Sequence, residues 1–435
     1  MTWRARIAEL SPRAILVAGW SAFALYAYPG YMSWDAMTQL AQARRGVYTD
    51  DHPPAMAALW RVFEIVVTGP LPMMLVCSVL FLLATRRLLG DRLSPRAAAI
   101  AAVVLLWFPP IGTVTAAVYK DSVMATFVMV GAALLVTEHR RSGLFALGVG
   151  TAMRYNAIFA TLPIVVLLYR PGVLVGWRRY AAAVGVYVAI SCAAFAVDVT
   201  LADTHRYYWY RTQALMDIAD TLANARDYSD DEIRSELSGV RLAIDDHIQA
   251  RLREIYKPVD FRHLDRGDQQ VFMAPETAEE RAAVARAWKR VLEDNPGAYL
   301  RYRWDNFVML MRLDHHVYDN APITMALRWH EDQPVVQHDV EAGRIQRVLL
   351  EGMRLASRTP LFYPYPYALL ALLLLPLARG DRLSLALLFS GLCYQAAWLP
   401  LAPTADYRYS QWMVATTAIA AVRLVAARRR SRTGS

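Results

Sequence analysis

The sequence predicts an all-α polytopic membrane protein, with about ten transmembrane helices and a mainly helical exoplasmic domain inserted between spans seven and eight. Hydrophobic residues make up 56% of the 435 positions and charged residues only 20%. The apolar residues form uncharged runs of about 15 to 23 residues, and roughly 20 are needed to cross the hydrocarbon core as a helix. Because backbone polar groups must be satisfied inside the bilayer, we expect these runs to be helical.

The uncharged runs give ten candidate spans and three modules. The spans are residues 14–30, 65–85, 97–119, 122–137, 142–153, 155–169, 180–197, 359–378, 383–404 and 409–426. They divide the chain into an N-terminal transmembrane module (1–197), an exoplasmic domain (198–358) and a C-terminal transmembrane module (359–435).

Arginines predict the orientation of the chain in the membrane. They cluster at the ends of the spans, at residues 4–13, 86–96, 140–141, 170–179, 379–382 and 428–430. With ten spans every cluster falls on the cytoplasmic side, together with both termini, and the hydrophilic block lies outside. If residues 142–169 were instead one long helix around Arg154, the last three clusters would lie outside. The arginine distribution favours ten spans.

Composition and absent motifs exclude several classes of protein. The net charge of +9 falls mostly in short loops and tails, where it sets orientation, so we expect no nucleic acid partner. The three cysteines lie singly within apolar runs and predict neither disulfides nor a metal knuckle. The sequence has no GxxxxGK, HExxH or GxSxG pattern, which argues against an ATP-driven pump, a zinc protease and a nucleophile-elbow hydrolase.

Ionisable residues collect at the outer ends of the predicted spans. They are Asp35, Asp50, Asp51, His52, Lys120, Asp121, Arg154, Asp406 and Arg408, drawn from four separate loops. A charge at the bilayer midplane costs about 2.5–3.5 kcal/mol on insertion scales, so charges near the hydrocarbon indicate function. We expect a shared site, and the alternative is that each residue is a solvated loop charge.

The first outer loop carries the strongest local pattern. Asp35 follows the first span closely, and Asp50-Asp51-His52-Pro53-Pro54 comes about fifteen residues later. The proline pair stops a helix and fixes the path of the loop directly after His52 and the two acids. The alternative is that the two prolines only end a helix and shape the loop, which would explain the same pattern without a functional site.

The hydrophilic block contains two further patterns. Ser229 and Glu232 have the spacing of a capping box, which predicts a helix running toward Ile255. Four residues resemble a metal cluster, but their spacing matches no standard site and favours a solvated turn: Asp314, His315, His316 and Asp319.

Taken in order, these motifs resemble the GT-C superfamily of membrane glycosyltransferases. The features are an acid after the first span, a downstream His-Pro-Pro, Lys120-Asp121 in the second outer loop and Arg154-Tyr155-Asn156 after a short fifth span. The nearest branch is that of the protein O-mannosyltransferases and the lipid A aminoarabinose transferases, with related bacterial families. The match covers the first 170 residues, and beyond them the outer domain and Asp406-Tyr407-Arg408-Tyr409. Asp35 is followed by Ala36, where the family often has a second carboxylate.

The resemblance implies an inverting transferase in the bacterial cytoplasmic membrane. It would move a sugar from a polyprenyl-phosphate donor to a hydroxyl of a protein, lipid or cell-envelope polysaccharide. Asp35 would be the general base, and Asp121 would hold a divalent cation, orient the acceptor or pair with Arg154. Expected to bind substrate are Asp51, His52, Lys120, Arg154, Asn156, Arg408 and Tyr409, with the cations on the lipid phosphate. His52 would contact a sugar hydroxyl or the phosphate, or brace its loop.

Two other classes of protein fit the same topology. A transporter or flippase of a lipid-linked saccharide would share the span count, but would place its ionisable groups near midplane on interrupted helices. Arg154 between two short spans fits that class. A catalytically silent receptor would use the outer domain as a binding module. Loss of sugar transfer on replacing Asp35 would distinguish the enzyme from the receptor, and cysteine labelling that placed Arg154 and residues 198–358 in the cytoplasm would exclude both the predicted topology and the enzyme.

Overall fold

Each apolar run identified above forms at least one α-helix. The computed structural model of the chain describes residues 10–170, 174–204, 209–256, 264, 267, 269–313 and 343–433. The helices of the N-terminal module are α1 (Pro12–Ala27), α2 (Trp34–Arg45), α3 (Pro54–Glu64), α4 (Leu71–Leu89), α5 (Pro95–Trp107), α6 (Pro109–Ala116), α7 (Lys120–Val136), α8 (Arg140–Ala152), α9 (Ala157–Leu168) and α10 (Trp177–Leu201).

The hydrophilic block and the C-terminal module are also helical. Their helices are α11 (Leu215–Asn224), α12 (Asp230–Glu236), α13 (Ile248–Ile255), α14 (Ala278–Asp294), α15 (Pro296–Leu310), α16 (Arg344–Ser357), α17 (Pro364–Leu374), α18 (Arg382–Ala396), α19 (Trp398–Leu401) and α20 (Gln411–Thr433). Across the described ranges, β-structure is limited to three isolated bridges. The predicted all-helical class is confirmed.

Within the part of the chain that the structure describes, four helical segments are long and apolar enough to cross a membrane: Leu71–Leu89, Trp177–Leu201, Arg382–Leu401 and Tyr407–Arg430. A fifth results if α5 and α6, which meet at an angle of 70°, form one span. The helices at the other predicted spans have 11 to 17 residues. At 1.5 Å per residue, even 17 residues reach only about 25 Å, short of the roughly 30 Å hydrocarbon core.

Proline and glycine set helix limits that a count of uncharged residues misses. The span predicted to begin at Ile65 begins instead at Leu71, because α3 ends at Glu64 and Gly69 adopts a positive φ of 95° ahead of Pro70. Ile65 itself is 81% exposed. The predicted start of this span was therefore wrong by six residues.

The chain reverses direction at Arg154. The hydroxyls of Thr151 in α8 and Thr161 in α9 are 2.9 Å apart, so the facing ends of the two helices lie side by side. At the other ends, Arg140 of α8 and Leu168 of α9 line the same cavity. One continuous helix over 142–169 is thereby excluded, and the expectation of two separate segments agrees with the structure.

The hydrophilic block has a core of its own. Ser229 and Glu232 form the predicted capping box, but the helix that they start ends at Glu236, and α13 follows as a separate helix. A buried core joins α11, α12, α13 and α14. Leu310 and Met353, by contrast, belong to the core of the large helical bundle. The block predicted as one domain therefore packs in two parts.

A buried ionic cluster ties the core of the hydrophilic block to the bundle. Arg303 of α15 donates to the Asp217 carboxylate and, through Nη1, to the carbonyl oxygen of Ala402 at 3.0 Å. The hydroxyl of Tyr302 and the indole N–H of Trp288 also donate to Asp217. Ala402 begins the loop that leads to Asp406 and Arg408, so the cluster fixes that loop.

Candidate active site

Two short backbone contacts bring the loop that follows α1 and the segment that precedes α7 together. The amide of Tyr31 donates to the carbonyl of Ala116 at 3.1 Å, and the amide of Val118 donates back to the carbonyl of Tyr31 at 2.9 Å. Asp35 lies four residues beyond Tyr31, in the first turn of α2, and Lys120 opens α7. Residues 85 positions apart in the sequence thereby face each other.

The segment that precedes α3 is held by the C-terminal end of α10. The Asp198 carboxylate accepts a 3.0 Å hydrogen bond from the amide of Ala55, directly after the proline pair. Tyr48 and Asp203 exchange two further hydrogen bonds of 2.7 and 2.8 Å. The prolines end the loop and start α3, and these anchors place His52 beside Asp35.

Asp35 is surrounded by three bases from three other segments. Its carboxylate oxygens lie 2.7 Å from Nη2 of Arg408, 3.8 Å from Nζ of Lys120 and 3.9 Å from Nε2 of His52. Its side chain keeps 29% of its surface exposed. Desolvation raises the pKa of Asp35, but the bases around it, led by Arg408, outweigh that effect and hold the pKa well below the usual carboxyl range. Asp35 is therefore ionised and still reachable.

His52 is a neutral acceptor in this arrangement. Its Nδ1 lies 2.7 Å from Nζ of Lys120, and an ammonium group can only donate, so Nδ1 carries no proton. Burial and, after it, the charge of Lys120 lower the pKa of His52 to about 3, against the opposing effect of Asp35. The ring proton then resides on Nε2, on the side facing Asp35.

Asp121 and Arg154 form a buried ion pair beneath Asp35. Nη1 of Arg154 lies 2.6 Å from Oδ2 of Asp121, and its Nε donates to Oδ1 of Asn156 at 3.1 Å. Arg154 is only 5% exposed and Asp121 only 1%. Of the three roles considered for Asp121, pairing with Arg154 is the one that the structure contains.

Arg408 connects the two acids. Besides Asp35 it contacts Asp406, whose Oδ2 lies 2.9 Å from its Nε, and Oδ2 of Asp121 is 3.9 Å away. Its guanidinium carbon lies 4.9 Å from the centre of the Tyr119 ring. The cluster thus holds three carboxylates, two guanidinium groups, one ammonium group and one neutral imidazole.

Aromatic rings form the apolar side of the cluster. The rings of Trp398 and Tyr409 stack with centroids 4.1 Å apart, and the guanidinium of Arg154 lies 4.7 and 4.8 Å from them. The Tyr394 hydroxyl lies 3.5 Å from Oδ1 of Asp121. Sequence analysis missed Tyr119, Tyr394 and Trp398, since aromatics near span ends are common in membrane belts. Only the i, i+4 spacing of Tyr394 and Trp398 marked them as sharing a helix face.

Eight of the nine predicted site residues therefore meet in one network: Asp35, His52, Lys120, Asp121, Arg154, Asn156, Arg408 and Tyr409. The ninth, Asp51, faces the hydrophilic block instead, and its Oδ2 lies 3.2 Å from Nη1 of Arg211. Neighbouring Asp50 accepts a 3.0 Å hydrogen bond at its carbonyl from the hydroxyl of Tyr155. The first contact joins this loop to the hydrophilic block, and the second joins it to the turn that carries Arg154.

No set of three or more metal-ligating side chains occurs among the residues that the structure describes. Asp314, His315, His316 and Asp319 lie outside them. Asp35 and Asp121 are each in contact with arginine, whose positive charge competes with a metal ion for their oxygens. The arrangement is suited to an anionic ligand that attracts the cations and to acid–base chemistry at Asp35.

Comparisons with family models, with curated proteins and with solved structures gave no match to this chain.

Proposed function

We propose that this protein is an inverting membrane glycosyltransferase that moves a sugar from a polyprenyl-phosphate donor to an acceptor hydroxyl at the outer face of the cytoplasmic membrane. One observation carries the proposal. An ionised, partly exposed carboxylate, Asp35, lies within 4 Å of three bases contributed by separate segments of the chain. A base beside a cationic pocket is what transfer from a phosphate leaving group requires.

The leaving group sets the requirement for cations. As the acceptor oxygen bonds to the anomeric carbon, the bond from that carbon to the phosphate oxygen breaks, and its electron pair leaves with polyprenyl phosphate. The phosphate is a stable anion, so it needs positive charge and no general acid. Arg408 and Lys120, both 11% exposed at the side chain, are within reach of a ligand, and buried Arg154 supports them from below.

Asp35 takes the proton of the acceptor hydroxyl. In the unliganded site its pKa is depressed by its basic neighbours, which makes it a weak base. A phosphate that engages Arg408 and Lys120 shares their charge, so the pKa of Asp35 rises toward its ordinary value. Donor binding would thus increase the basicity of Asp35 at the moment when the acceptor can react. This coupling limits proton abstraction in the absence of donor.

The proposed topology has ten membrane segments, with the active site outside and both termini in the cytoplasm. Support comes from the opposite ends of α7, α9, α18 and α20. Each has one end at the active site, and each contributes at its other end to an arginine-rich cavity. Arginines concentrated at one end of apolar helices favour a cytoplasmic location for that end. The shorter segments would cross the membrane packed against the longer helices, which keep their ends away from lipid.

One observation favours the competing class of transporters. Helices α5 and α6 are bent by 70° at Phe108, and interrupted helices line substrate paths in many transporters. The charged cluster of this chain lies at helix ends, however, where an enzyme would meet substrates from outside. A transporter predicts movement of an intact lipid-linked sugar across the membrane, whereas the transferase consumes it.

The decisive experiment uses purified full-length protein and a panel of polyprenyl-phosphate sugars. Loss of one donor with release of polyprenyl phosphate would identify the activity. General base catalysis contributes about 100- to 10,000-fold, so Asp35→Asn should reduce turnover by that factor while donor binding remains. Arg408→Gln should instead weaken donor binding.

Glu64→Gln is the matched control. Glu64 also pairs with an arginine, with Nε of Arg44 2.7 Å from its Oε2, but it lies outside the cluster. This variant should retain turnover within about threefold, because it leaves the charges around Asp35 unchanged. Undiminished turnover by Asp35→Asn would remove Asp35 from the mechanism. Intact lipid-linked sugar crossing vesicles without release of polyprenyl phosphate would establish the transporter instead.

A further inference from the structure

A cavity of about 400 Å³ lies at the end of the bundle away from the candidate active site. The last residues of α7 and α9, the first residues of α18 and Arg423 of α20 line it. Because α7 has 17 residues, this cavity lies about 25 Å from the end that carries Lys120. It is therefore separate from the cluster around Asp35.

Part of the cavity is a rigid ionic floor. Arg423, only 1% exposed, pairs with Asp91 and with Asp381, and Arg92 reaches the same two carboxylates. Ser384 donates a further hydrogen bond to Asp381 at 2.8 Å. These charges balance each other, and they hold the C-terminal end of α4 and the N-terminal end of α18 against the middle of α20.

Three arginines at the rim of the cavity are not part of this ionic floor. Arg140, Arg170 and Arg382 line the cavity, and none has an ion-pair or hydrogen-bond partner among the described residues. The one remaining carboxylate of the lining is Glu138. The rim therefore carries an excess of two positive charges and presents three guanidinium groups, whose planar N–H pairs suit phosphate oxygens.

One part of the lining is an aliphatic wall. It consists of Leu135 and Val136 from α7, Leu167 and Leu168 from α9, and Leu383 from α18. Val136 is 44% exposed and continues the apolar wall to the outer surface of the bundle. A free phosphate ion would leave this wall uncovered, whereas a phospholipid covers it with the start of its acyl chains and places its phosphate on the arginines.

We infer that this cavity binds the headgroup of one anionic phospholipid from the cytoplasmic leaflet. The bound lipid would neutralise Arg140, Arg170 and Arg382, and would join the ends of α8, α9 and α18 at the membrane surface. The choice of leaflet rests on the proposed topology, but the site does not depend on the proposed sugar transfer, because it shares no residue with the cluster around Asp35.

The test titrates purified full-length protein in detergent with short-chain phosphatidylglycerol and follows binding by native mass spectrometry and by the thermal unfolding temperature. Dihexanoyl phosphatidylcholine, glycerol 3-phosphate and inorganic phosphate are the comparison ligands. The variant is the triple replacement Arg140→Gln, Arg170→Gln and Arg382→Gln. At about 1 kcal/mol for each arginine, it should weaken phosphatidylglycerol binding on the order of 100-fold.

Two further variants make the result specific. The control triple Arg87→Gln, Arg141→Gln and Arg178→Gln removes the same charge from exposed arginines that do not line the cavity. It should change the affinity by less than about threefold, because long-range attraction is screened at physiological salt. Replacing the three rim arginines by lysine should restore binding to within about tenfold, which distinguishes lost charge from lost folding.

Three outcomes would overturn the inference. Equal losses in the rim and control triples would show general attraction to a basic surface. Equal affinity for phosphatidylcholine would show that charge is irrelevant. Glycerol 3-phosphate or inorganic phosphate binding as tightly as phosphatidylglycerol would identify a soluble anion as the ligand instead of a lipid.

Discussion

Replacing Arg154 by methionine tests the buried ion pair at the base of the active site. Methionine has an unbranched side chain that fills much of the same space, so the main loss is the guanidinium group. Asp121, only 1% exposed, would keep the Tyr394 hydroxyl at 3.5 Å and Nε of Arg408 at 3.9 Å, both too distant to replace a 2.6 Å contact. Breaking such a pair costs about 3–5 kcal/mol, and loss of the ring contacts adds roughly 0.5–2 kcal/mol.

The free energy of unfolding can be measured by titrating the purified protein with sodium dodecyl sulfate and following tryptophan fluorescence. Arg226→Met is the control, because Arg226 pairs with Glu232 at 3.2 Å on an exposed surface and should be dispensable for folding. Equal stability of the Arg154→Met and Arg226→Met variants would refute the reasoning.

A double variant separates an unpaired charge from lost packing. In Arg154→Met combined with Asp121→Asn, no buried carboxylate remains unpaired, so we expect recovery of at least about half of the lost stability. Activity should not recover, because Arg154 supports the phosphate site. If the double variant were as unstable as the sum of the two single variants, the loss would come from packing.

Three further predictions concern pH and packing. His52 has a pKa of about 3 in the folded protein and about 6.5 in the unfolded chain, so only the unfolded chain takes up a proton as pH falls through 6.5. Between pH 7.5 and 5, native protein should therefore lose about 2 kcal/mol more stability than the His52→Gln variant. Equal losses for the two proteins in fluorescence-monitored unfolding would contradict this prediction. Burial raises the pKa of Asp220 well above its usual range, so Asp220→Asn should gain thermal stability relative to native protein as pH rises from 5 to 8. Asp217→Asn should instead lose about 3–5 kcal/mol at pH 8, where it leaves Arg303 without its carboxylate partner, and equal stability of the two variants at pH 8 would be the opposing result. Gly150→Ala should lower the free energy of unfolding by about 1–3 kcal/mol, because the new methyl group would lie 3.1 Å from the backbone nitrogen of Val128. Gly148→Ala is the control: its new methyl group would have its nearest neighbour at 3.9 Å, so this variant should lose no stability.

The site was largely predictable because charged residues beside apolar segments cost free energy, and such positions can be recognised in the sequence. Asp35, Lys120, Asp121, Arg154 and Arg408 stand beside apolar runs, where charge is unfavourable unless it is used. Helices that reverse direction at each loop bring alternate loops to the same end, so topology alone gathers these residues. Their pairing could not be predicted, because distances of 2.6 to 3.9 Å depend on the tilt and rotation of each helix.

The sequence by itself determined the helical class, the positions of the helices and the end of the bundle at which the charges collect. These properties follow from local composition, since apolar runs, prolines and capping residues act within a few residues of themselves. Helix length was less predictable, because Gly69 and the break at Phe108 interrupt runs that contain no charge. Only the tertiary structure decided that Asp51 faces Arg211, that His52 accepts from Lys120, and that Arg140, Arg170 and Arg382 share one cavity. Each of these contacts joins residues distant in the chain, and their geometry is set by the packing of whole helices.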